Sequence, residues 1–405
     1  MGTEGLISFD QARSSILSDI PRLGTERVLV ADAVGRVLAD DLVAADPLPR
    51  FDNSAMDGYA VSTADFPGEG PWSLDVAGES TAGAEPSWLA KGAACRIFTG
   101  AAVPEGADAV VMQEHVTRDG DEVRFTARPK PGQNVRKAGE DLARDAVAIP
   151  ARARLGPGAI ALAAMLGRSE LSVVRRPVVT ILCTGNELRS AGDEPRPASI
   201  PESNSAPLAA LARQAGALAR VAPIAKDDPR GTLRAIEQAL DGTDVLLTVG
   251  GVSVGDHDFV RPALEQAGVK LDFWRVAIKP GKPLAFGRGP RSAVLGLPGN
   301  PASAIVTFTL FGMPLLRAMQ RDARPLPLLL RARLSAARKR SPDRLELVRA
   351  ALQLDGGTLA ARVHDNQSSG AATSLASSDG LAFIPAGEGS MDAGAFVDFL
   401  RWSDA

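Results

Sequence analysis

Apolar positions along this chain repeat with three different periods, and each period predicts a different kind of element. Near the start, Phe9, Ala12, Ile16 and Ile20 are spaced roughly as on one face of a helix. Ser8 is placed as its N-cap and Gln11 follows three residues later, so 8–20 is predicted as a short amphipathic helix. From 28 to 145 the apolar runs are short (27–30, 72–76, 95–98, 109–112, 123–125) and lie between Gly, Pro and Asp clusters, which predicts a β-rich, turn-rich segment. Residues 156–167 return to helical spacing, with Pro157 in the first turn and Gly167 as the stop.

Between 177 and 320 apolar strands alternate with helices. Strands are predicted at 178–183, 217–224, 245–249, 273–278 and 293–297, and helices at 205–214, 229–240, 259–266 and 301–319. Strands apolar on both sides, separated by helices, predict a parallel sheet covered on both faces. Beyond Pro325 and Pro327, runs at 328–334, 345–354, 359–363, 380–385 and 395–400 predict a small all-β C-terminal domain. Ten basic residues against three acids fall between Arg317 and Arg349. With no RNA-type aromatic signature, this stretch reads as a charged linker and the outer faces of strands. No internal repeat of 20–50 residues is visible.

Composition narrows the class. At 405 residues, 45% hydrophobic and 23% charged, the chain reads as a soluble globular protein of several domains. A net charge of −3 argues against general nucleic-acid affinity. No apolar run approaches the roughly 20 residues of a spanning helix. The start lacks a basic-then-apolar export pattern, and Leu6 occupies the position where myristoylation takes Ser or Thr. Two cysteines, Cys95 and Cys183, and three histidines exclude a disulfide framework and a Cys- or His-rich metal site. A reduced, cytoplasmic protein without a membrane partner is expected.

Three Gly-rich loops follow predicted strands: Cys183-Thr184-Gly185-Asn186-Glu187-Leu188, Gly250-Gly251-Val252-Ser253-Val254-Gly255-Asp256-His257-Asp258, and Leu297-Pro298-Gly299-Asn300-Pro301-Ala302-Ser303. Open parallel sheets bind ligands beyond the carboxyl ends of their strands. Glycines admit close backbone approach, and N–H groups at a helix start attract anions. One such loop is explained by a tight turn alone, whereas three in one sheet favour a phosphate-bearing ligand. None matches the nucleotide P-loop or the dinucleotide fingerprint.

Between the second and third loops lies Lys279-Pro280-Gly281-Lys282-Pro283. Only 8 of the 45 basic residues are lysines, so two of them three apart on a stiff turn stand out. Compact ammonium groups suit phosphate or another oxyanion. Glu187, Asp227, Asp228, Asp256 and Asp258 all fall in loops after predicted strands. Carboxylates beside phosphate-binding loops commonly hold Mg²⁺, but each of these is equally readable as a cap or an exposed loop acid. Asp228 before Pro229 reads as an N-cap, which leaves Asp227 as the functional candidate, and His257 reads as a bystander. In the β-rich segment, Phe51–Ala60 packs Asp52, Asn53, Ser54 and Asp57 around the single tyrosine. Thr99-Gly100 and Gly139-Glu140-Asp141 are further polar turns, and spacing alone leaves all three open between turn and site.

At these residues the chain resembles the molybdopterin molybdenumtransferases, the MoeA family that includes the E domain of gephyrin. The resemblance covers nearly the whole chain. Its motifs are FDNSAMDGYAV (51–61), FTGAAVPEGADAVVMQE (98–114), GQNVRKAGED (132–141), CTGNEL (183–188), TVGGVSVGDHD (248–258), FWRVAIKPGKPLAFG (273–287) and GLPGNPASAIVTF (296–308). It implies a multidomain α/β plus β fold: an elongated connector from 1–26 with 146–176, a β-rich domain at 27–145, a molybdopterin-binding α/β domain at 177–326, and a β-barrel-like domain at 327–405. It also implies a homodimer whose cleft joins the α/β domain of one subunit to the β-rich domain of the other.

The implied reaction is Mg²⁺-dependent insertion of molybdate into adenylylated molybdopterin, releasing AMP and molybdenum cofactor. By position, Asp57, Thr99, Asp141, Glu187, Asp227, Asp258, Lys279 and Lys282 would form the catalytic set, with Glu187, Asp227 and Asp258 toward the metal. Thr184, Gly185, Asn204, Gly250, Gly251, Ser253, Gly255, Arg275, Pro298, Gly299, Asn300 and Pro301 would bind the pterin and pyrophosphate. Transient contact with the preceding adenylyltransferase and with acceptor molybdoenzymes is also implied. Two departures from the family pattern stand out. TGNEL replaces the usual TGDEL, and Asn366–Ala371, which with Arg349 would take part in molybdate binding, follows the family's Ser/Gly-rich stretch only loosely. The alternatives are a molybdopterin adenylyltransferase, which needs only the α/β domain, and a catalytically silent molybdopterin-binding scaffold, for which Asn186 is the single hint.

Overall fold

The computed structural model describes residues 6–251 and 259–404. Its α/β unit is a six-stranded sheet in the order Leu218–Val221, Val178–Cys183, Val245–Val249, Ala293–Leu297, Ala285–Arg288, Lys270–Phe273. The first four strands are parallel, as the apolar runs predict. Ala285–Arg288 runs antiparallel to both neighbours, so the sheet is mixed. The predicted strand at 273–278 is not continuous. Pairing stops at Phe273, and 275–278 instead bonds to Ile7 and Lys282 before Ile278–Lys279 joins another sheet.

Helices Ser205–Gln214 and Pro229–Leu240 fall where the sequence places them. Asp228 caps the second by accepting from the Gly231 N–H at 2.7 Å. Pro301–Met319 is one 19-residue helix whose middle, Phe308–Gly312, widens to π geometry. Pro314 explains this, because it has no N–H to give to the preceding turn and its ring crowds the carbonyl four residues back. By length and composition this helix could cross a membrane, which the sequence reading of short apolar runs missed. It is 83% buried and serves as the core helix against the sheet.

The helix Phe9–Ile16 is shorter than predicted but has the expected capping box, Ser8 Oγ accepting from the Gln11 N–H and Gln11 Oε1 from the Ser8 N–H. It buries Ala12 and Ile16 in the α/β core and sets Phe9 5.3 Å from the Phe311 ring. Next, Thr25–Leu29 pairs antiparallel with Glu170–Val174 over Pro157–Met165, forming a separate small core around Leu38, Leu155 and Leu171.

The β-rich segment is a second six-stranded mixed sheet. Gly58–Val61, read from sequence as part of a polar loop, is an inner strand of it and is buried throughout. At the C-terminus, Leu345–Asp355, Thr358–Val363, Leu330–Leu334, Phe396–Arg401 and Gly380–Ile384 pair in turn, and the last pairs back to the first, closing a barrel. Ile278–Lys279 of the α/β unit lies parallel to Leu345–Glu346 and so ties the barrel to the sheet.

That junction depends on Gly281. It has φ +106°, and a Cβ there would sit 2.4 Å from Thr307 Cγ2 and 3.1 Å from Ile278 Cδ1. Gly281→Ala is expected to lose about 2 kcal/mol from backbone strain and overpacking together. Gly356→Ala, also at positive φ but with no heavy atom within 4 Å, isolates the backbone share. In urea denaturation the first variant should show the larger drop in midpoint. Equal drops would show that the Thr307 contact relaxes freely.

Candidate active site

The three Gly-rich loops leave the carboxyl ends of adjacent parallel strands and are joined by backbone bonds. Thr184 N–H donates to Val249 O at 3.0 Å, and Gly250 N–H to Leu297 O at 3.2 Å. Gly250 has φ +90°, and a Cβ would lie 2.8 Å from Thr184 O, so only glycine lets the first two loops lie this close. Pro298 is buried beside them, while Gly299 and Asn300 are exposed at the start of the Pro301–Met319 helix. The second loop is described through Gly251. Ser253, Gly255 and Asp258, with Asp256 and His257, lie outside the described residues.

A half-buried carboxylate that sequence reasoning passed over holds the base of this cluster. Glu202 Oε1 accepts from the N–H groups of Asn204 (2.5 Å) and Ser205 (3.0 Å) and from the Cys183 thiol (3.3 Å). Oε2 accepts from the Ser205 hydroxyl. Burial pushes the Glu202 carboxyl up, but these bonds outweigh it and leave it below the usual carboxylate range. Cys183 moves the other way, raised well above an ordinary thiol by burial and then by the Glu202 charge, so it is an inert thiol. Held in this way, Asn204 donates Nδ2–H to Gly299 O at 2.8 Å, bridging the first and third strand ends. Its Oδ1, like Thr184 Oγ1 and Thr248 Oγ1, is buried without a hydrogen-bond partner among the described residues. The signal available in sequence was Glu-Ser-Asn-Ser immediately before a helix.

Asp227 and the first loop are fastened reciprocally. Asn186 N–H donates to Asp227 Oδ2 at 3.0 Å, and Asp227 N–H donates to Asn186 Oδ1 at 3.2 Å. Glu187 is exposed, and its carboxylate folds over Gly185. Among the described residues no group of three or more His, Cys, Asp or Glu is arranged to hold a metal.

The lysine turn sits at the same end of the sheet. Ala285 pairs with Gly296, so 280–284 project past the carboxyl edge alongside Pro298. Lys282 is exposed. Lys279 is not free: its Nζ lies 2.7 Å from Glu346 Oε1 of the barrel. Arg275 contributes its carbonyl to the Ile7 N–H at 3.2 Å, and its side chain is half-buried.

Arg349, three residues beyond Glu346, is fully buried and is the exception to the reading of this basic stretch as a linker and outer strand faces, where Arg331 and Arg333 lie exposed. Its Nε donates to Ser374 Oγ (2.9 Å) and its Nη2 to the carbonyls of Asn366 (3.1 Å) and Ser368 (2.9 Å), while Nη1 is buried without a partner among the described residues. Burial draws this guanidinium below its ordinary value. Two charged residues inside the otherwise apolar run at 345–354 were the sequence signal.

Asp57 and Thr99 come together on the β-rich sheet, Asp57 Oδ1 accepting from the Thr99 N–H (2.7 Å) and hydroxyl (2.8 Å). The Thr99 N–H first, then its hydroxyl, and then the Arg96 charge lower the Asp57 carboxyl below its usual value. Asp141 is exposed on the neighbouring turn, its N–H bonded to Leu48 O at 3.0 Å. The hydrogen bonds described for Asp57, Thr99 and Asp141 all stay within residues 48–141, so they do not join the three to the Gly-rich loops of the same chain.

Comparison with known proteins covers all three regions of the chain. Residues 7–167 match the MoeA N-terminal region (domain I and II), 180–318 a probable molybdopterin binding domain, and 331–402 the MoeA C-terminal region (domain IV). A molybdopterin molybdenumtransferase of Nostoc is 36% identical over 399 residues, spanning 95% of this chain and 92% of that protein. One from Haemophilus influenzae is 39% identical, spanning 78% of each. A crystal structure of the molybdopterin biosynthesis MoeA protein from Pyrococcus horikoshii superimposes with a TM-score of 0.85 at 29% identity, covering 98% of this chain and all of that one. Matches spanning all three regions, with relatives above 30% identity along almost the full length, show that this chain belongs to the MoeA family of molybdopterin molybdenumtransferases, transferases of molybdenum cofactor biosynthesis.

Proposed function

We propose that the chain inserts molybdate into adenylylated molybdopterin, with Mg²⁺, and releases AMP. The observation that carries this reading is the convergence of Thr184, Gly185, Asn204, Gly250 and Pro298 at adjoining strand ends, with buried Thr184 and Asn204 oxygens that have no hydrogen-bond partner among the described residues. An extended polar ligand reaching these atoms would satisfy them, and the glycine backbone lets its phosphates come close. Lys282 and Lys279, at the same edge, supply charge for an oxyanion. Arg275 lies beside them and is assigned to the same anionic substrate.

Mg²⁺ fits this donor set. It is commonly held by one or two carboxylates, with waters and substrate phosphates completing six oxygens. Glu187 and Asp227 stand on loops fastened to each other and could serve, and Asp258 is assigned to the same group by its motif. Bound there, the ion would neutralise phosphate charge. The protein's part is to orient the pyrophosphate on the loop N–H groups and to place a hydrolytic water beside a carboxylate.

We further infer that Asp57, Thr99 and Asp141 complete the cleft from a second copy, since among the described residues their hydrogen bonds do not reach the loops of their own chain. The four-region division at 1–26 with 146–176, 27–145, 177–326 and 327–405 is proposed with it, as are a cytoplasmic setting and transient contact with the adenylyltransferase and acceptor molybdoenzymes. Both cysteines are buried free thiols, which is compatible with a reducing compartment.

The direct test is AMP release from adenylylated molybdopterin by the purified protein with Mg²⁺, with and without molybdate. Molybdate-dependent release with cofactor formation is expected, and tight binding without AMP release would sink the reading in favour of a silent binder. Inactive Asp57→Ala and Lys279→Ala proteins, mixed and allowed to exchange subunits, should regain part of the activity. Proven exchange without recovery would rule out a shared cleft. The pH profile gives a third check. Because Asp57 is held below its usual value, its charge persists above that lowered value and is lost only as pH falls through it. Thr99→Val removes one of the two stabilising bonds, so the acid limb of the rate profile should move to higher pH. An unmoved limb would show that Asp57 does not control it.

A further inference from the structure

Glu346 has no assigned role, yet it is placed where the barrel meets the α/β unit and is only 5% exposed. Its strand register fixes the contact, because Lys279 and Glu346 are paired residues of adjacent parallel strands. Oε1 lies 2.7 Å from Lys279 Nζ, and Oε2 lies 3.7 Å from Arg338 Nη2. A carboxylate this buried is costly unless paired, and removing its partner leaves an uncompensated charge. Lys279, by contrast, keeps a side chain that is 53% exposed. Its ammonium has three donors, and Glu346 accounts for one of them. An oxyanion arriving from the open side therefore meets a cation that is already half neutralised, with a fixed negative charge behind it.

We propose that Glu346 is a positioning residue that acts through Lys279. It holds the ammonium at the barrel edge, competes with the oxyanion for it, and so weakens and speeds the release of tetrahedral oxyanions at this site. The inference rests on the assignment of Lys279 to oxyanion binding made above. Arg338 keeps the carboxylate partnered when Lys279 swings toward the anion, which lets the exchange proceed without stranding a buried charge.

The experiment is equilibrium dialysis of full-length protein against radiolabelled molybdate, for the wild type, Glu346→Gln, Lys279→Ala and the double variant. Glu346→Gln keeps one acceptor oxygen, which Lys279 can still use, and removes the competing charge. It should bind molybdate about three- to tenfold more tightly, with a slower off-rate. General structural damage would lower affinity, so a gain is specific. In the Lys279→Ala background the same change should alter affinity by less than about twofold, because the effect runs through Lys279. Unchanged or weaker binding by folded Glu346→Gln overturns the counter-ion role while leaving Lys279 in place. Wild-type binding by Lys279→Ala instead overturns the assignment of Lys279 itself. Should Glu346→Gln not fold, Glu346→Asp, whose charge sits one methylene farther from the ammonium, decides the matter by the same criterion: tighter binding supports the role and equal or weaker binding refutes it.

Discussion

The strands Val178–Cys183, Val245–Val249 and Ala293–Leu297 have almost no exposed face. With apolar side chains packed on both sides, the sheet can offer polar groups to a ligand only at its ends. The Gly-rich part of the candidate site follows from that restriction. The loops at the carboxyl ends must turn sharply into helices, which places glycine at 250, and must share a small area, which draws Thr184, Asn204 and Gly299 into one hydrogen-bonded group. Glu202 closes this group from below, and its charge is held by four donors from one helix start and one strand end.

The lysine turn has a different origin. Ile278–Lys279 leaves the sheet altogether and pairs with the first strand of the barrel, while the residues just before it, 275–277, are held by Ile7. The barrel is thus more than an appendage. It supplies Glu346 to Lys279 and carries the buried Arg349 on the same strand. An α/β unit alone would keep the Gly-rich loops but lose the counter-ion of one lysine. The lysine turn and the barrel are therefore coupled through strand residues in register, Lys279 and Glu346 among them.

Much of this was legible in the sequence, for physical reasons that differ by region. Strands 178–183, 245–249 and 293–297 and helices 205–214 and 229–240 were readable because burial on both faces forces uninterrupted apolar runs, and caps such as Asp228-Pro229 mark the helix starts. Gly58–Val61 was not, because four residues after a polar stretch carry too little periodicity. What makes them a strand is the close approach of Gly58 to Val111, where a Cβ would sit 2.0 Å from the carbonyl oxygen. Ala285–Arg288 was hidden in the same way behind the proline-rich turn, so the antiparallel strand of the sheet went unseen. Glu346 and Arg349 were legible only as charges in a basic region. Their burial depends on barrel closure, a long-range pairing that local patterns do not encode.

Asn186 can now be weighed on geometry. Its side-chain oxygen accepts the Asp227 N–H and its backbone donates to the Asp227 carboxylate. An aspartate at 186 could accept the same bond from the same N–H, so the loop does not need asparagine for its shape. The difference is one negative charge beside Asp227 and Glu187 in an exposed loop. Two unit charges about 4 Å apart interact by about 1 kcal/mol in water and about 4 kcal/mol at a protein surface. In the cleft proposed for an anionic substrate, losing that repulsion would favour entry, while a cation held there would lose one nearby counter-charge. The substitution therefore shifts the balance between substrate and metal affinity rather than dismantling the site. With Asp227 still fastened and Glu187 still at the loop tip, the loops keep both carboxylates proposed to face the metal, and Asn186 on its own gives no ground for reading the chain as a silent copy.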